Sequence, residues 1–248
     1  MKGRLNIFAD PAALAHAATE KILYCLNEAI LEQGRATIVL SGGNTPRTVY
    51  ELLASEAYRG RVGWSLVHIF WGDERSLLPT TPGSNFRMAN EVMLQHLPIP
   101  PGNVHRIPAE HPPQEAARVY EAELREFFET GPGEFPRFTI VLLGLGDDGH
   151  TASLFPDTLA LRERSRIVCE VYVDALDSSR ITMTAPALNS AGTVLFLVTG
   201  KSKAAILREV LLDETPRYPA QMINPVRGEL LWYADRDAAS QLDLKGDR

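Results

Sequence analysis

The chain has 248 residues, of which 45% are hydrophobic and 23% charged; 25 basic against 31 acidic side chains give a formal net charge of −6. Those proportions are globular and exclude disorder or a fibrous repeat, and the length suits one layered α/β domain spanning 1–248. No block of like charge and no basic stripe occurs, which argues against a nucleic-acid binder and means that any anion must be held locally.

Leu5 to Ala9 reads as an opening strand. Asp10 and Pro11 then supply an N-cap and a preset first helical position. Leu14, Ala18, Ile22, Cys25 and Ala29 recur at spacings of three and four, which predicts a helix with one apolar face that ends near Gly34. Ala36 to Leu40 is a short buried-type strand stopped by Ser41-Gly42-Gly43, and Pro46 opens a second helix through Leu53. The alternation continues with a strand over Ser65 to Trp71, helices over Asn85 to His96 and Gln114 to Phe128, and a strand over Phe138 to Leu143. Beyond Phe155 the pattern predicts strands at Ile167 to Val173, Ile181 to Thr184 and Thr193 to Val198, a helix from Lys201 to Leu212, and a last strand at Glu229 to Tyr233. Strands interleaved with helices indicate a mainly parallel sheet covered by helices on both faces, a three-layer α/β sandwich. The Pro/Gly clusters at 98–102, 112–113 and 131–136 are connecting loops too short to link domains, and the terminus from Asp243 is expected to fray.

Cys25 and Cys169 stand far apart, without Cys-x-x-Cys spacing or a zinc-suited His cluster, so neither a disulfide nor a metal is expected. The first apolar run is too short for a secretion signal, and no stretch approaches the ~20 apolar residues of a membrane span. A cytoplasmic protein with no membrane or nucleic-acid partner and no cofactor is the expectation, monomeric or at most a weak dimer.

Ligands of open parallel sheets bind beyond the carboxyl ends of the strands, which singles out three loops. Ser41-Gly42-Gly43-Asn44-Thr45 places two glycines and two hydroxyls at a helix N-terminus, where free N–H groups and the helix dipole favour an anion such as phosphate. The alternative is a tight turn with Thr45 as a cap. It is neither a Walker loop nor a dinucleotide fingerprint. Gly72-Asp73-Glu74-Arg75 is either a solvated charge run or a ligand edge, where Arg75 meets a phosphate or carboxylate and Asp73 orients it or binds a sugar hydroxyl. The third loop surrounds Asp147, Asp148 and His150 with Gly144, Gly146 and Gly149. His150 is a candidate proton acceptor, and Asp148 at this spacing is able to fix its tautomer; a hydrogen-bonded structural histidine is the alternative. His16, His68, His96, His105 and His111 sit in helix, strand or Pro-rich contexts that suit structure or surface. Ser153 lacks the Gly-x-Ser-x-Gly elbow of a nucleophile.

These runs together resemble the 6-phosphogluconolactonase family. The matching segments are Leu40 to Pro46, Trp71 to Arg75, Gly83-Ser84-Asn85, Gly144 to Pro156 with Asp-Gly-His-Thr-Ala-Ser-Leu-Phe-Pro at its centre, Arg180 to Thr184, and Val198 to Ala204. Asn44, where a serine is common, and Asp147, where the family varies, are departures; after about 213 only Pro219-Ala220-Gln221 matches. The resemblance implies a Rossmann-like fold and metal-free hydrolysis of a phosphorylated sugar lactone, 6-phospho-D-glucono-1,5-lactone. It implies a catalytic set of His150 as base with Asp148, Asp73 and Arg75, and a phosphate site of Ser41, Gly42, Gly43, Asn44, Thr45, Arg180 and Lys203, with Arg75 serving either the phosphate or the oxyanion. The oxyanion's other possible donors are backbone N–H groups from Gly146 to Gly149. A glucosamine-6-phosphate deaminase or isomerase shares the glycine loop, the Asp at 73 and an Asp-Gly-His loop. It resembles Ile-Ala-Phe-Asn-Glu-Pro after the histidine, where this chain has Thr-Ala-Ser-Leu-Phe-Pro. A non-catalytic sugar-phosphate binder is the third reading, and no residue argues for association with the dehydrogenase that makes the lactone.

Overall fold

The computed structural model describes residues 2–213 and 215–242; the terminus from Asp243, expected to fray, lies outside the described residues. In chain order the elements are β1 (Arg4–Phe8), α1 (Pro11–Gln33), β2 (Ala36–Leu40), α2 (Asn44–Ala54), β3 (Val67–Trp71), β4 (Asp73–Arg75), α3 (Asn85–Val92), β5 (Val104–His105), α4 (Pro113–Phe128), β6 (Ile140–Leu143), β7 (Val168–Val173), β8 (Ser178–Met183), α5 (Ala185–Leu188), β9 (Thr193–Val198), α6 (Ala204–Leu212) and β10 (Glu229–Asp235). Short 3-10 turns punctuate the connections.

Seven strands form one sheet in the order β1-β10-β9-β6-β2-β3-β5, and every neighbouring pair is parallel. All residues of β2, β6 and β9 are buried, so the central strands are covered on both faces and their side chains form the core. The expected α/β class holds. The helix ends follow local chemistry. Asp10 accepts from the Ala13 N–H at 2.8 Å, and Gly34, in the left-handed region, returns its N–H to Ile30 O and stops α1.

The strands at 168–173 and 178–183 do not enter the parallel sheet. They pair antiparallel with each other, and β4 adds to them, giving a separate three-stranded sheet in the order β4-β8-β7. A parallel neighbour needs a crossover of a dozen or more residues. The 3-10 turn Asp174–Leu176 and left-handed Asp177 leave room only for a hairpin. Several boundaries also move. The helix expected to reach His96 stops at Val92, where Met93 leaves helical geometry before a 3-10 turn, and Ser65 lies in a 3-10 turn ahead of β3. Lys201–Lys203 is likewise a 3-10 turn that leads into α6. The edge strand β5 has two residues, too few for a periodicity to register. No helix among the described residues is long and apolar enough to cross a membrane.

Candidate active site

From β2 the chain runs outward to β3 and β5, then returns to place β6 on the other side of β2. Strand order reverses between β2 and β6, so the loops after these two strands open onto the crevice where such sheets bind ligands. There a cavity of about 540 Å³ is lined by Ser41 to Pro46, Asp73, Arg75, Asn85, the 144–147 loop, His150 to Ser153, Phe155, Leu176, Arg180, Leu197 to Thr199 and Lys203. All the residues expected at the site line it except Asp148.

The glycine loop is held from below by a side chain to which the sequence assigned no role. Tyr50, fully buried, accepts from the Ser41 N–H at 2.9 Å and donates to Ser41 O at 2.8 Å. Tyr120 does the same at the end of β3, bonding both the N–H and the carbonyl of Trp71. No side chain caps α2, and Thr45 bonds Thr199 across the crevice at 2.7 Å, so the reading of Thr45 as a cap fails. The N-terminal N–H groups of α2 are left for a ligand, and beside them the buried Ser41 hydroxyl has no partner. Gly42 is required by its neighbour: a Cβ there would stand 2.0 Å from Asn85 Oδ1.

The run Asp73-Glu74-Arg75 is a strand with two buried carboxylates, not a solvated charge run. Glu74 accepts from the N–H groups of Arg75, Asn85 and Phe86 and from the Ser84 hydroxyl, anchoring the start of α3. Asp73 accepts from Ser153 Oγ at 2.6 Å and from Asn85 Nδ2 at 3.3 Å. Burial pushes its carboxyl above the usual range, against the opposing pull of Ser153, Arg75, His150 and Arg180. Asp73 makes no hydrogen bond to Arg75, whose guanidinium donates to Gly83 O, so the expected orienting contact is absent among the described residues. Arg75 instead stands opposite Arg180 in the β4–β8 register. Burial and then the Arg75 charge lower the Arg180 pKa. Like charges directly opposite on paired strands are destabilising, and a bound anion relieves them.

The third loop is a turn closed by Gly149 N–H to Gly146 O at 3.1 Å and by Gly146 N–H to His150 O at 2.8 Å. Asp148 Oδ1 lies 2.5 Å from His150 Nδ1 and accepts the His150 backbone N–H at 3.1 Å. Burial alone would raise the Asp148 carboxyl; the His150 backbone N–H and ring outweigh that and hold it below the usual range. An ionised carboxylate only accepts, so Nδ1 carries the proton, which makes Nε2 the acceptor of the neutral ring. Nε2 has no partner among the described residues. The ring stacks on Phe155 at 4.1 Å between centroids. The N–H groups of Gly146, Gly149 and His150 are spent within the turn, so of the expected backbone oxyanion donors those of Asp147 and Asp148 stand beside Arg75. Lys203 Nζ lies 2.6 Å from Asp147 Oδ1. His68 and His105, as expected, are structural: they bond each other at 3.0 Å, and Glu123 holds His105 at 2.7 Å. No group of three or more His, Cys, Asp or Glu among the described residues is placed to hold a metal ion.

A family model described as glucosamine-6-phosphate isomerases/6-phosphogluconolactonase matches residues 9–232. The chain belongs to this family. A 6-phosphogluconolactonase of Synechocystis sp. is 44% identical over 245 residues, 98% of this chain and 99% of the relative, and one of Nostoc sp. is 41% identical over 247 residues, 98% and 100% respectively. A crystal structure of a 6-phosphogluconolactonase from Thermotoga maritima superposes with a TM-score of 0.80 at 33% identity, covering 93% of this chain and 98% of that one. Tyr50, Asn85, Ser153 and Phe155, which sequence reasoning left without roles, contact the residues expected at the site. The last three lie inside runs that match the family, which was the only signal for them; Tyr50 gave none.

Proposed function

We propose that the chain hydrolyses 6-phospho-D-glucono-1,5-lactone to 6-phospho-D-gluconate, with His150 as the base. The observation that carries this reading is the His150 ring on the cavity wall, its Nδ1 tied to Asp148 and its Nε2 without a partner among the described residues. The phosphate binds at the α2 N-terminus and the Ser41 hydroxyl, with Arg180 and Lys203 supplying charge. Anchoring the phosphate fixes the lactone carbonyl for attack and makes the reaction effectively intramolecular. His150 Nε2 takes a proton from water as the water oxygen bonds C1, and Asp148 stabilises the imidazolium that forms. Arg75 faces the oxyanion of the tetrahedral intermediate. The C1–ring oxygen bond then breaks, His150 returns its proton to the departing ring oxygen, and the new carboxylic acid ionises. Asp73 holds Ser153, and through it the turn that follows His150, against β4.

The test follows lactone disappearance above its spontaneous rate, with ammonia release from glucosamine 6-phosphate measured in parallel. Lactone turnover that falls by ~10²–10⁴ in His150→Ala is the expected result. Ammonia release without lactonase activity, or phosphate-sugar binding with no turnover of either compound, would sink the reading.

A further inference from the structure

Two carboxylates leave the 146–149 turn in different directions. Asp148 turns back onto the His150 ring, whereas Asp147 crosses to Lys203 at 2.6 Å. The lysine side chain is 24% exposed and the aspartate 78%, and both line the catalytic cavity. Asp147 makes no other side-chain hydrogen bond among the described residues, so its one contact holds a cation assigned above to the phosphate.

We propose that Asp147 is a displaceable counter-ion. It occupies Lys203 while the site is empty, yields it to the ligand's phosphate, and thereby weakens the hold on substrate and product alike. The identity of the phosphate-bearing ligand rests on the lactonase reading; the exchange itself does not. Arg75, Arg180 and Lys203 share one cavity with the positive end of α2, and the two arginines are already opposed in register. Asp73 lines the same cavity as the two arginines, and Asp147 is the carboxylate in contact with Lys203. A phosphate dianion carries more charge and three acceptor oxygens, and it also reaches the α2 N–H groups and Ser41, which Asp147 does not contact, so it wins the exchange. Displacement is cheap, because a carboxylate this exposed is already largely solvated. The turn backbone stays pinned by the Gly146 and Gly149 hydrogen bonds, so releasing Asp147 leaves the Asp148–His150 contact in place. The effect therefore falls on binding.

Asp147→Asn removes both the competitor and its repulsion of the incoming anion. Titration calorimetry with inorganic phosphate at low ionic strength is expected to give a dissociation constant about two- to fivefold lower than wild type, the range that an exposed ion pair supports. The KM for the lactone and the inhibition constant of phosphate should fall by the same factor, and the gain should shrink as salt is raised. In a Lys203→Met background the same substitution should give no gain. Unchanged or weaker phosphate binding in Asp147→Asn overturns the proposal, as does an equal gain without Lys203, which would make Asp147 a distant repulsive charge. Tighter phosphate binding in Asp147→Asn, together with a wild type that turns over no lactone, would remove the lactonase reading and leave the counter-ion standing. Lactone turnover with phosphate affinity unmoved would do the reverse.

Discussion

Asp148→Asn changes one charge at nearly constant shape, and its effect on turnover can be worked from the geometry. The carboxylate oxygen lies 2.5 Å from His150 Nδ1, and its side chain is 49% exposed. When His150 takes the water proton, the new positive charge stands roughly 4 Å from the carboxylate charge centre, an interaction of about 1 kcal/mol in bulk water and about 4 kcal/mol at an effective dielectric of 20. Half exposure places it between these limits, at about 2 kcal/mol, or roughly 30-fold in kcat. Asparagine can also turn its N–H toward Nδ1 and force the proton onto Nε2, the wrong tautomer for a base. The comparable change in a serine-protease triad costs about 10⁴ in rate, so the electrostatic figure is a floor. KM should stay within about threefold, since Asp148 does not line the cavity. Freshly generated lactone and a coupled assay of 6-phosphogluconate, corrected for spontaneous hydrolysis, measure both constants. A kcat within about threefold of wild type, or a loss carried by KM, would refute the assignment of Asp148 as the residue that positions and charges the base.

Gly146→Ala places a Cβ 2.1 Å from His150 Nδ1, so the ring must leave Asp148, and kcat should fall at least as far as in Asp148→Asn. Asp73 holds its proton more tightly folded than unfolded, so stability declines as pH rises from the ordinary carboxylate range through its higher folded value. Asp73→Asn should remove that slope, raising Tm at pH 7 in calorimetry while lowering turnover; a lower Tm would show that its hydrogen bonds outweigh the cost of its buried charge. Burial, helped by His105 and Arg35, pushes His68 down from 6.5 to about 4, so its neutral form contributes stability that is present above pH 6.5 and lost as pH falls toward 4. His68→Gln should therefore lose less Tm than wild type between pH 7 and 4, and an unchanged acid slope would remove His68 as its source.

Much of the scaffold was legible in the chain because it depends on neighbours a few residues apart. Asp10 with Pro11 starts α1 and Gly34 ends it, the apolar run Ala36 to Leu40 makes a buried strand, and glycines mark the strand ends at 42, 72 and 144. Runs of this kind also placed the glycine loop and His150 at one cavity, since a parallel sheet brings its strand ends to one edge. The Asp148–His150 contact spans two residues, and sequence spacing was enough to suggest it.

Long-range pairing decided the rest. Whether Asp73 and Glu74 face water or the interior depends on β4 joining β8, and the same register sets Arg75 against Arg180. Tyr120 reaches Trp71 across 49 residues, and Thr45 reaches Thr199 across 154. No local propensity encodes such contacts, because each exists only after the elements carrying its two ends have been placed. For the same reason Lys203, a plausible phosphate ligand by motif, was found only in the folded chain to be already held by Asp147.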